Sequence, residues 1–178
     1  MDCDRRVMCT ADDGNMWVTL CALKSDAIRY VPATGRRWRC ALAVRHPGFR
    51  VLARWRLAAW LHSRGIPGLP QLLRQSLVSS YGCDISLKAR IQGGVRLPHP
   101  VGIVIGDHVS VAADCTIMQS VTLGGRFGNV ARKRATPQLM TGAFVGPGAV
   151  VLGPIVVGAC ARVRANAVVT RSIEPREH

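Results

Sequence analysis

Residues 139–169 read LMTGAFVGPGAVVLGPIVVGACARVRANAVV, and every sixth position from Leu139 through Val145, Val151, Val157 and Val163 to Val169 is a large aliphatic residue. Ala143, Ala149, Ile155, Ala161 and Ala167 repeat beside them as a small or apolar companion column. A period of six is not a multiple of 3.6, so no α-helix keeps such a column on one face. Six residues suit one short flat strand and its turn, with the aliphatic residue pointing inward and the small one at the corner. Three such hexapeptides make one turn of a parallel β-helix.

The same period extends backward to about residue 83. Ile85, Ile91, Leu97, Ile103, Val109, Cys115 and Val121 form one column. Leu87, Gly93, His99, Ile105, Val111, Ile117 and Leu123 form a second, two residues further on. His99 is the one histidine in these columns, and a polar ring among aliphatic neighbours needs a partner to offset its desolvation.

Between the two periodic blocks lies GRFGNVARKRATPQ, residues 125–138, which is polar and basic and breaks the period. From Leu123 to Val145 there are 22 steps, three hexads plus four residues, so the coil must extrude a loop before it resumes. Loops carried on rigid solenoids are common sites of binding, and this one concentrates Arg132, Lys133 and Arg134.

Upstream the period is helical. Phe49, Leu52, Ala53, Leu57, Trp60 and Leu61 follow three-and-four spacing, in a helix that Pro47-Gly48 opens and Gly65 with Pro67 closes. A second short helix follows Pro70, carrying Leu72, Leu73 and Leu77. Residues 27–83 contain ten arginines and no Asp or Glu, and most of these arginines are expected on solvated helix faces. The expected organisation is an Arg-rich helical region over 1–82 and a β-helix over 83–178, a mainly β chain with an N-terminal α-helical part.

With 178 residues, 48% of them apolar, the chain suits one compact domain or a core with an N-terminal extension, and excludes a large multidomain enzyme. Its 24 Lys and Arg against 10 Asp and Glu leave a formal charge of +14, which predicts attraction to nucleic acid, an acidic membrane surface or a phosphorylated ligand. Seven scattered cysteines with no C-x-x-C pair argue against a disulfide framework or structural zinc. The opening MDCDRRVMCTADDGN has no apolar run of the signal-peptide kind, and arginine interrupts every apolar stretch up to residue 74, so a cytoplasmic location is expected.

Three stretches together are more specific than the hexapeptide period. They are Leu97-Pro-His-Pro-Val-Gly-Ile-Val-Ile-Gly106, Gln119-Ser-Val-Thr-Leu-Gly-Gly125 and Phe144-Val-Gly-Pro-Gly-Ala-Val-Val-Leu-Gly153. In this order they resemble the serine acetyltransferase family of left-handed β-helix acyltransferases, over about residues 83–175. Pro47-Gly-Phe-Arg and Arg56-Leu-Ala-Ala-Trp-Leu61 look like the end of its helical N-terminal region.

The resemblance implies direct attack of a hydroxyl on acetyl-CoA, a co-substrate and not a bound cofactor, at a cleft between neighbouring coils of a homotrimer or a dimer of trimers. His99 stands where the family has its catalytic histidine, a suitable base because imidazole titrates near neutrality. Asp84 matches the carboxylate that orients it. Gly124 and Gly125 are expected to let backbone N–H groups approach the thioester, and Lys133 and Arg134 to meet CoA phosphates. No metal or nucleic acid is expected, while the Arg-rich helices allow a peripheral membrane contact.

The chain departs from the family at the acceptor. Pro98 replaces an Asp before the histidine, and Ala135-Thr136 replaces Arg-His before the loop proline, removing the charged clamp for an amino acid. L-serine, as in cysteine biosynthesis, is the first expectation; a sugar hydroxyl of surface-polysaccharide synthesis is the second. A non-catalytic anion-binding scaffold is the alternative of another class. A γ-class carbonic anhydrase needs three zinc-binding histidines, and only His99 and His108 lie in the repeat.

Overall fold

The structure, a computed structural model, describes residues 16–31, 43–125 and 136–176. Helix α1 spans Met16–Tyr30, α2 spans Pro47–Ser63 and α3 spans Leu69–Tyr81. The two proline-opened helices fall where the spacing predicts them. Helix α1 has no counterpart in the sequence reading. It buries Ala22, Asp26 and Ala27, so its inner face lacks the large aliphatic stripe by which an amphipathic helix is recognised.

The coil is a left-handed parallel β-helix whose short strands stack into three flat sheets. The first holds β1 (Asp84–Ile85), β3 (Val104–Ile105), β6 (Thr122–Gly124), β9 (Val150–Leu152) and β12 (Val168–Val169) in that order. The second holds β2 (Arg90–Ile91), β4 (Ser110–Val111), β7 (Gln138–Leu139) and β10 (Val156–Val157). The third holds β5 (Thr116–Ile117), β8 (Phe144–Val145) and β11 (Arg162–Val163). One residue of each strand points inward, and that column is fully buried from Ile85 to Val151. Burying each such side chain stabilises the fold by about 1.5–3 kcal/mol before chain entropy is counted.

The pairing corrects the expected columns upstream of the loop. Ile85 pairs with Ile105, two residues beyond the three hexads that separate Ile105 from Leu123. Ile85, Ile91 and Leu97 therefore continue into Ile105, Val111 and Ile117, while Ile103, Val109 and Cys115 stack on Cys83, Ala89 and Val95. The two added residues fall between Leu97 and Ile105, and this places His99 outside the interior column, exposed at a corner. A two-residue slip keeps every inward position inward because a strand alternates with period 2, so the sequence period hides it. Further on, Val111 pairs with Leu139, so ten further residues enter before β7.

The coil's corners need left-handed backbone. His108, Asp114, Ser120, Cys160 and Asn166 supply it at φ between 55° and 60°. Each costs a non-glycine residue about 1–2 kcal/mol, a strain offset by the stacked ladders on both sides.

The helices dock on the first turn of the coil through buried polar contacts. Trp55 Nε1 donates to the Ser86 carbonyl at 3.0 Å. Arg56, 3% exposed, is an exception to the expectation that most of these arginines lie on solvated helix faces. Its guanidinium donates to Asp26 Oδ2 at 2.8 Å, to Asp26 Oδ1 at 3.2 Å, and to the carbonyls of Ile91 and Gln92 at 2.9 and 2.8 Å. Burial pushes the Asp26 carboxyl up, opposed by Arg56 and by the N–H groups of Gly94 and Val95. Arg50, Arg54 and Arg64 are exposed, as expected.

Candidate active site

Helix α3 ends at Gly82, whose backbone turns left-handed at φ 61°. The Gly82 N–H donates to the Val78 carbonyl at 2.9 Å and the Cys83 N–H to Leu77 at 3.3 Å. This double closure of the helix end reverses the chain and brings Asp84, the first residue of β1, back beside α3. There Asp84 Oδ1 accepts a hydrogen bond from Arg74 Nη2. Both side chains stay partly exposed.

The backbone is pinned on both sides of His99. The Leu97 N–H donates to Tyr30 Oη at 2.7 Å, and the Tyr30 hydroxyl donates to the Leu97 carbonyl at 3.2 Å. Helix α2 closes on the same point because residue 48 is glycine. A Cβ there would lie 1.9 Å from the Leu97 carbonyl oxygen and 2.3 Å from Tyr30 Oη. Downstream, Cys83 Sγ donates to the Pro100 carbonyl at 3.1 Å. Cys83 precedes Asp84 and Pro100 follows His99, so this contact joins the two segments that carry the sequence-predicted residues.

No hydrogen bond joins His99 to Asp84 among the described residues; the carboxylate is engaged by Arg74. Burial pushes the Cys83 thiol up, so at neutral pH it remains a protonated donor and does not compete as a nucleophile. Arg74, Tyr30 and Cys83 escaped the sequence reading. The available signal was Gly82, a helix-ending residue that folds Asp84 back onto α3.

Gly124 closes β6, and its carbonyl accepts the Gly153 N–H at 3.0 Å. A Cβ at Gly124 would meet only Leu152 Cδ2, at 3.9 Å, so internal packing does not demand glycine there. Gly125 opens the loop segment and is the last residue described before Thr136. Lys133, Arg134 and Ala135 lie outside the described residues. Thr136 is buried and donates through Oγ1 to the His108 carbonyl at 2.9 Å, so its hydroxyl is spent on a coil corner. Among the described residues no cluster of three or more His, Cys, Asp or Glu gathers to hold a metal ion.

No family model matches the chain. Curated relatives do. The serine acetyltransferase of Salmonella typhimurium is 37% identical over 128 residues, covering 72% of this chain and 46% of that protein. The serine acetyltransferase of Mycobacterium tuberculosis is 39% identical over 130 residues, covering 73% and 56%. The chain thus spans about half the length of the curated relatives it matches. Among solved structures, native serine acetyltransferase 1 from Entamoeba histolytica superposes with a TM-score of 0.76 at 30% identity, covering 90% of this chain and 62% of that one. A serine acetyltransferase in complex with CoA superposes at 0.72 and 28% identity, covering 88% and 63%. Motif order, the coil with its one long insertion, and these likenesses in sequence and fold agree that the chain belongs to the serine acetyltransferase family.

Proposed function

We propose that this protein is an acetyl-CoA-dependent O-acetyltransferase acting on a hydroxyl, foremost that of L-serine in cysteine biosynthesis. The observation that carries this reading is an exposed His99 on a backbone pinned at Leu97 and Pro100, with Cys83, the residue before Asp84, bonded to Pro100. A relative solved with CoA and another solved with L-cysteine support the co-substrate and a small acceptor. In this reading residues 1–82 form the helical support and 83–178 the catalytic coil.

His99 takes the hydroxyl proton as the oxygen attacks the thioester carbonyl. N–H groups near Gly124 and Gly125 receive the oxyanion, and Asp84 stabilises the imidazolium. The carbon–sulfur bond then breaks and His99 returns the proton to the CoA thiolate, leaving an acetyl ester and free CoA. Acetyl-CoA is consumed as a substrate, and no resident cofactor or metal enters the step.

A sugar hydroxyl is the second acceptor reading, favoured by uncharged Pro98 and inward-turned Thr136 where an amino-acid clamp needs charge. Thiol release from acetyl-CoA, measured with L-serine and with a panel of sugars and sugar nucleotides, decides between them. Absence of turnover with every acceptor, with salt-sensitive anion binding retained, would leave the scaffold.

Lys133 and Arg134 belong to the CoA phosphates in this reading. Replacing both with Ala is expected to raise KM for acetyl-CoA about tenfold or more with little change in kcat, because phosphate contacts persist from ground to transition state. A collapse of kcat at constant KM would refute the assignment.

Exposed Val101, Val104 and Val168 on the coil support a homotrimer or a pair of trimers. A protomer mass at micromolar concentration would count against it. The location proposed is cytoplasmic; among the described residues no helix is long and apolar enough to cross a membrane. Arg50, Arg54 and Arg64, with exposed Leu57, Ile66, Leu69 and Leu72, support a peripheral contact with anionic membrane.

A further inference from the structure

The geometry points to Arg74 as a positioning residue for the reaction, holding Asp84 by one carboxylate oxygen so that the other is presented toward His99. This inference rests on the reading of His99 and Asp84 given above. Arg74 lies on α3, one turn before Leu77, which is fully buried in the core. Its Nη2 donates to Asp84 Oδ1, the one hydrogen bond that the Asp84 side chain makes among the described residues. No group among the described residues hydrogen-bonds to Asp84 Oδ2. The left-handed turn at Gly82 fixes how β1 returns to the helix, so guanidinium and carboxylate meet through local geometry and not by chance of two long side chains.

Stability does not account for the arrangement. A partly exposed ion pair contributes little to folding. Arg74 Nε, meanwhile, is buried without a hydrogen-bond partner among the described residues, and an orphaned donor costs more than such a pair returns. What the pair does supply is a fixed carboxylate rotamer, the third member of the chain in which a base is oriented by an acid that is itself held in place. A guanidinium suits the role because its planar fork restricts where the carboxylate sits, whereas an ammonium is a point charge.

The test is a double-mutant cycle on kcat, using the full chain with acetyl-CoA and the best acceptor from the thiol-release panel. Arg74→Gln is expected to lower kcat by about ten- to a hundredfold with KM for acetyl-CoA unchanged, since a small misplacement of an orienting group is felt in turnover. Arg74→Lys should recover part of the loss. In an Asp84→Asn background, Arg74→Gln should add almost nothing, because the residue acts through Asp84. Full additivity of the two losses, or a wild-type kcat in Arg74→Gln, would overturn the inference. A rise in kcat would also overturn it, showing that the guanidinium withholds Asp84 from His99. Circular dichroism and native mass of each variant separate misfolding from misplacement, and Arg74→Lys, which keeps the charge, carries the test if Arg74→Gln does not fold. If Asp84→Asn and His99→Asn both keep wild-type turnover, the failure belongs to the proposed reaction and not to Arg74.

Discussion

His99→Asn is expected to lower acetyl transfer by about 10² to 10⁴-fold while leaving the coil intact, the range that a positioned general base contributes. The folded state should tolerate the change because His99 is exposed and its neighbours are held through main-chain groups at Leu97 and Pro100. The asparagine amide cannot take up a proton at neutral pH, so the attacking hydroxyl loses its base and the departing thiolate its acid. Asp84→Asn should cost less, because it removes orientation and imidazolium stabilisation but leaves the base. Steady-state thiol release with circular dichroism and native mass on the same samples checks both. A His99→Asn protein that keeps its assembly and its wild-type turnover would refute the mechanism.

Asp26→Asn is expected to destabilise the fold by about 3–5 kcal/mol, the loss seen when one partner of a buried ion pair is removed. Arg56 reaches Asp26 with two N–H groups and spends two more on the Ile91 and Gln92 carbonyls, so its charge cannot follow the missing carboxylate into water. The Val95 N–H, which donates to Asp26 Oδ1 at 3.2 Å, loses a charged acceptor as well. Replacing the pair together, Asp26→Leu with Arg56→Met, should cost less than Asp26→Asn alone, since no uncompensated charge is left behind. Denaturant unfolding at one fixed protomer concentration measures the difference, because any oligomer adds a concentration term. An Asp26→Asn loss below about 1 kcal/mol would mean that the pocket admits water and that the helices do not depend on this clamp.

The candidate site was legible to different depths at its different members. His99 and Asp84 stand out because the motif order around them is specific. Their surroundings do not stand out, because Tyr30, Gly48 and Cys83 touch the site through main-chain carbonyls and N–H groups that any sequence possesses. The expectation that His99 sits in an aliphatic column came from counting by six across a two-residue insertion. Arg56 and Arg74 illustrate the same limit. Both belong to an acid-free run of arginines that reads as solvated, yet the acids they meet come from the neighbouring helix α1 and from the strand after α3.

By itself the sequence determined the coil, its long interruption and the two proline-opened helices, because each of these is a periodic demand for burial with a fixed repeat along the chain. Tertiary structure alone decided where the register slips between Leu97 and Ile105, and therefore that His99 is exposed. It also decided which arginines are buried and which carboxylates they hold. Those outcomes turn on residues distant in the chain meeting in three dimensions, where the desolvation of each charge must be offset by whatever partner the packing supplies. A pattern read along one dimension contains the period of the core but not the partners of its polar groups.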